Sequence, residues 1–234
     1  MATAQTPPSS TPSPRKVPVI QPEVTAMDKL QYRYEKNKKR INIIVAAVAL
    51  LILGGVGYRF YTNSQNEKAA TAVAYAQRYF ESDSTNLALN GDGQHPGFLR
   101  IIKKYSGTKT ANLSHYYAGI CYLKMGDYAN ALKQLKEFDG NGTNVGAAAQ
   151  GAIGDAYMET GKTKEAIAAY EKAASDEKDI ALSPVYLQRA GMAYEMLNQP
   201  EKAIQTYKKI RDVYPMSAQA RDMDKYLARL GSLD

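Results

Sequence analysis

One cysteine and two histidines in 234 residues leave little material for redox or metal chemistry. Cys121 has no partner in the chain, so no intrachain disulfide forms, and its apolar helical surroundings mark it as a small core residue. A single cysteine suits a reducing or an oxidising compartment equally. His95 precedes Pro96 in an expected loop and His115 falls on an expected helix. No His-Glu-x-x-His zinc motif joins them, and structural roles account for both. Also missing are a Walker-type glycine-rich loop, a dinucleotide fingerprint and a nucleophile elbow. No catalytic residue, metal or cofactor is therefore expected, and the chain reads as a non-enzyme. Outer-membrane lipoprotein character is not expected either, since no cysteine follows a signal segment.

Most of the chain also lacks charge of one sign. The formal net charge is +7, yet residues 1–40 hold eight Lys/Arg against three acids, a net of +5, which leaves +2 for everything after. A nearly neutral folded part has no footprint for a phosphate backbone, so a nucleic-acid partner is not expected. Acids such as Glu165, Glu171, Asp176, Glu177 and Asp179 are spread along helices and loops as a solvated face. No small-molecule substrate is expected. With 44% apolar and 23% charged residues the composition is that of a folded protein.

What is present begins with one long hydrophobic run. Ile41 to Tyr58 is eighteen residues without a charge. A helix rising ~1.5 Å per residue needs roughly 17 to 25 such residues to cross a bilayer core. Tyr58, Phe60 and Tyr61 stand where amphipathic rings favour the interface, and Arg59 can snorkel from the same level. A cleavable signal peptide fits worse: its basic region would span forty residues, its apolar core is too long, and no small-x-small site follows. The expected organisation places a cytoplasmic tail at 1–40, with six prolines between residues 2 and 22 and a basic end, Lys36 to Arg40. The tail's Pro-rich part is expected to be disordered. A transmembrane helix follows at 41–61. Six Lys/Arg in the twenty residues before Ile41, against three in the twenty after Tyr58, put the N-terminus on the cytoplasmic side. In a bacterium the remainder then lies in the periplasm.

Beyond the run the chain repeats itself. Ala118-Gly119, Ile153-Gly154 and Ala190-Gly191 recur after 35 and then 37 residues. Each pair is followed in register by a tyrosine (Tyr122, Tyr157, Tyr194), a turn residue (Gly126, Gly161, Asn198) and an alanine (Ala131, Ala166, Ala203). The glycines of the pairs allow a second helix to approach closely, at ~1 kcal/mol of helix propensity. The turn residues stand where a first helix ends in a left-handed conformation. The tyrosines fill the gap between hairpins. Residues 112–216 thus form three helical hairpins. Upstream, 62–111 holds a connecting helix and a degenerate hairpin, Ala70–Phe80 and Gln94–Tyr105, with Asn90 to Gly93 as a flexible turn. Downstream, 217–234 is a capping helix with apolar Ala218, Met223, Leu227 and Leu230. The fold class is all-α: a transmembrane helix, then an α-solenoid of three to four hairpins and a cap.

The three windows are similar to tetratricopeptide repeats, whose period is about 34 residues. That resemblance implies a protein-binding concave face on the first helix of each hairpin. By repeat position it comprises Leu113, Tyr116, Ile120, Leu123 and Lys124, then Asp155, Met158 and Glu159, then Gln188, Met192, Glu195 and Met196. Flexible methionines suit repacking around varied apolar segments, or else pack against the cap or a neighbouring repeat. A clamp for a partner's carboxylate would need more Lys, Arg and Asn there. More loosely, the layout and the stretch Gly57 to Gln65 resemble the ancillary SecYEG translocon subunit family of bacterial inner membranes. That resemblance implies association with translocon subunits, a periplasmic chaperone of the prolyl-isomerase type and client polypeptides. The alternative is a self-associating cell-envelope or cell-division coordinator with no translocon role.

Overall fold

The computed structural model describes residues 25–141 and 143–232. The Pro-rich part of the expected tail lies outside them. The chain divides into two compact units, 1–56 and 57–234. The described secondary structure is helical, with one isolated β-bridge between Gly91 and Pro96.

The first helix, α1 (Ala26–Glu81), runs through both expected boundaries, at residues 40 and 61, without a break. It contains no proline, and its start is capped: the Thr25 amide and hydroxyl donate to Asp28, whose amide donates back to Thr25 Oγ1. Within the first unit its apolar stretch is exposed, Leu50, Leu51 and Leu53 at 71%, 76% and 67%. Its most apolar eighteen-residue window has a mean hydropathy of 2.3 and no buried residue. A helix that is hydrophobic all round belongs in a protein core or a bilayer, and this stretch is in no protein core. The helix is thus compatible with a membrane anchor.

In the second unit, Ala69, Val73 and Ala76 of α1 pack with α2 (Thr85–Asn90), α3 (Phe98–Lys104) and α4 (Lys109–Lys124) around Phe98, Ile101, Ala118 and Cys121. The degenerate hairpin departs from its expected form. A short helix, α2, stands between its two arms, and Gln94 to Gly97 are not helical. Gly97 is extended, and a Cβ there would collide with the backbone of Leu89, Asn90 and Gly91. The expected flexible turn is organised around Asp92, which accepts from the amides of Gln94 (2.9 Å) and His95 (2.6 Å) and from Tyr79 Oη (2.7 Å), and meets His95 Nδ1 at 2.8 Å. Those bonds, the His95 amide foremost, hold the Asp92 carboxyl well below the usual carboxylate range. Apolar periodicity carries no sign of such a polar knot.

The three repeats fold as α4 with α5 (Tyr128–Glu137), α6 (Asn144–Glu159) with α7 (Thr163–Ala173), and α8 (Ser183–Met196) with α9 (Pro200–Val213). Gly126, Gly161 and Asn198 close the first helices at φ of 76°, 72° and 54°. A Cβ on Gly119, Gly154 or Gly191 would fall inside contact distance of Leu135, Tyr170 or Tyr207, which is the close approach the small residue permits. Ala131, Ala166 and Ala203 are wholly buried. Tyr157 Oη accepts from Lys136 of the preceding hairpin (2.8 Å), and Tyr194 Oη donates to Glu171 of its preceding hairpin (2.6 Å), so these tyrosines bridge neighbours. A 3-10 turn (Gln219–Asp222) and α10 (Met223–Arg229) cover the last hairpin, burying Met223 and Leu227 completely.

Burial in this core pushes the Cys121 thiol up to about 11, ahead of a smaller opposing effect of Lys124. Such a thiol holds about a hundredfold less thiolate at pH 8 than an ordinary cysteine does. Iodoacetamide at pH 8 should therefore label Cys121 at least about a hundredfold more slowly in the native chain than in urea. Comparable rates would refute the burial of Cys121 in the cluster that α1 to α4 form.

Candidate functional site

The first helices of the three hairpins converge on an open groove of about 560 Å³. Leu123 at the end of α4 and Tyr128 at the start of α5 form one side, Met158 and Glu159 of α6 the middle, and Met192 and Met196 of α8 the other side. Met192 and Met196 are exposed at 46% and 68%. Glu159 accepts a long bond from Tyr128 Oη, 3.3 Å.

Among these side chains lies a fixed polar group. Arg189 Nη1 reaches both oxygens of Asp155 (2.5 and 2.6 Å), and Tyr170 Oη donates to the same carboxylate (2.8 Å). Burial first, then the bond to Asp155, push the Tyr170 phenol well above its ordinary value, so it stays a donor at any physiological pH. The arrangement recurs one hairpin on: Tyr207 Oη donates to Glu195 (2.6 Å), which takes two bonds from Arg229 Nη2 (2.7 Å each). Each arginine thereby ties a hairpin to the helix that follows it. The carboxylates are satisfied internally, so the groove offers a partner soft apolar contacts beside an oriented ion pair.

Of the twelve residues expected on the concave face, Leu123, Asp155, Met158, Glu159, Met192 and Met196 meet in this groove. The other six do not. Tyr116 and Ile120 pack against the buried Leu135, Ala149 and Ile153 where α6 crosses α4. Lys124 turns to the end of α1, 2.6 Å from Asp83 just beyond it and over the ring of Phe80. Glu195 is engaged by Tyr207 and Arg229. Leu113 and Gln188 are half-buried outside the groove. Four lining residues were missed: Tyr128, Tyr170, Arg189 and Ala193. Arg189 stands two residues before its repeat glycine, where the earlier repeats carry Tyr117 and Ala152, so repeat alignment conceals it. A signal did exist, because Asp155 and Glu195 each have an arginine 34 residues downstream, one repeat length away.

Comparisons with known proteins agree with the helical layout. Two tetratricopeptide repeat family models match, one at residues 147–175 and the other at 114–139 and 186–217, each segment falling on one hairpin. No curated protein sequence matches the chain. Among solved structures, kinesin light chain nearly identical TPR-like repeats from Podosopora anserina are similar in fold, with a TM-score of 0.55 at 13% identity over 70% of this chain and 86% of that one. A single-substitution variant of those repeats gives 0.55 at 14% identity, over 70% and 85%. At such identities the likeness speaks for the fold alone. The repeat matches and the fold together support a protein built on tetratricopeptide repeats, a type of scaffold for protein–protein interaction.

Proposed function

We propose that this chain is a single-pass membrane scaffold whose groove holds segments of partner proteins, and that it serves as an ancillary subunit of a bacterial Sec translocon. The observation that carries the binding reading is the groove itself, where three methionines from two hairpins stand beside an oriented ion pair. Unbranched thioether side chains adapt to partners of differing shape. In this reading residues 1–40 are a cytoplasmic tail, 41–61 span the inner membrane, 62–111 lead into the repeats of 112–216, and 217–234 cap them in the periplasm. The exposed apolar stretch of α1 supports the span, and the basic excess before Ile41 supports the orientation. Translocon subunits, a periplasmic chaperone and emerging clients are the partners this layout suits, a reading that rests on the family resemblance.

The test is a photoreactive residue at Met192 in intact cells, with adducts identified by mass spectrometry after detergent extraction. Sec subunits or a periplasmic foldase among the adducts are expected. Adducts only with the chain itself, or with cell-wall or division proteins, would replace the translocon role with that of a self-associating envelope coordinator.

A further inference from the structure

The opening turns of α1 carry a feature that protein binding by the repeats does not use. At 100° per residue, Lys29, Arg33, Lys36 and Arg40 are spaced by four, three and four residues and fall within about 60° of arc, a stripe about 16 Å long. All four are exposed, and among the described residues none of them pairs with a carboxylate. The two acids of the segment are engaged elsewhere: Asp28 caps the helix with Thr25, and Glu35 lies 3.7 Å from Lys38. On an adjacent face Met27, Leu30 and Tyr34 are exposed at 74%, 63% and 42%. A cationic stripe that runs directly into an uncharged span is the pattern of a segment held at anionic headgroups.

We propose that Ala26–Arg40 is a binding surface for the phosphate headgroups of anionic lipids. The inference goes beyond the scaffold reading and rests only on its membrane anchor. Covalent continuity selects a lipid surface over an acidic protein: Arg40 directly precedes Ile41, where the uncharged run begins, so the stripe starts at the edge of the hydrocarbon. Cations hold to an anionic leaflet only within about a Debye length, ~8 Å at physiological salt. On the unbroken helix, rising ~1.5 Å per residue, Arg40 and Lys36 stand at the level of the ~5–7 Å headgroup layer and Arg33 about 5 Å beyond it, inside that range, and the guanidinium forks of Arg33 and Arg40 match phosphate oxygens.

The full chain is placed in nanodiscs of phosphatidylcholine, either alone or with about one third phosphatidylglycerol, and digested with trypsin. Cleavage after Lys29, Arg33 and Lys36 is followed by mass spectrometry, with cleavage after the exposed Lys178 of the repeat unit as the reference in each digest. The expected result is cleavage roughly tenfold or more slower in the anionic discs, with the difference abolished in about 1 M NaCl, where the Debye length shrinks to ~3 Å. The Arg33→Gln, Lys36→Gln double variant should lose most of the protection at Lys29. Equal rates in the two discs, or protection that survives both salt and the double variant, overturn the proposal. A chain that enters neither kind of disc overturns the membrane anchor instead.

Discussion

Replacing Gly191 by valine should lower the stability of the repeat unit by about 3 kcal/mol, the upper range for overpacking a well-packed contact. A first side-chain carbon at Gly191 already falls on the ring of Tyr207, and the branched methyls of valine need more room still. The ring has nowhere to turn: Tyr207 is wholly buried among Ala190, Ala203 and Leu227, and its hydroxyl is held by Glu195. Helix α8 must therefore move away from α9, loosening the packing that the cap also relies on. The few tenths of a kcal/mol gained in helix propensity do not offset this. In a unit of this size the loss corresponds to a fall of about 10 °C in the unfolding midpoint. Gly126→Ala gives the contrast, because nothing lies within 4 Å of a Cβ there and only the positive φ of 76° is penalised, about 1 kcal/mol. Equal losses at the two positions would show that glycine serves the backbone at both and that the close approach of α8 and α9 is not what Gly191 provides.

The second large effect concerns binding rather than folding. Met192→Asp combined with Met196→Asp should reduce partner capture about thirtyfold or more, the loss of a central apolar anchor being worth ~2 kcal/mol or above. Both side chains are exposed, so the fold should lose only about 1 kcal/mol, mostly from placing Asp near the C-terminus of α8. Met158 is the wrong position for this test, because it packs against the core around Tyr170 and Ala190 and its replacement would confound binding with stability. The measurement is adduct yield from a photoreactive group at Leu123, on the opposite side of the groove, with thermal unfolding monitored in parallel. Undiminished yield from the double variant would remove the groove from the binding reading.

Much of the repeat unit was legible in the sequence because its determinants are local. A left-handed residue at the end of a first helix is a backbone requirement that glycine or asparagine announces by itself, as at Gly126, Gly161 and Asn198. The small residues recur at the same offsets because each hairpin solves one packing problem in one way. The region before the repeats was less legible. Asp92 orders its loop through four hydrogen bonds, and neither composition nor spacing distinguishes such a carboxylate from a solvated one.

The sequence by itself determined the helical class, the three hairpins, the cap and the one apolar run, since these follow from helical periodicity and repeat spacing along the chain. Only the tertiary structure decided which side chains of the expected face are free to meet a partner. Tyr116 and Ile120 share that face with Leu123, yet α6 crosses over the first two and leaves the third in the groove. Arg189 enters the groove because α8 brings it against a carboxylate on α6. Whether a same-face residue is covered or open depends on where the next hairpin lies, and that placement is settled by packing between elements rather than within them.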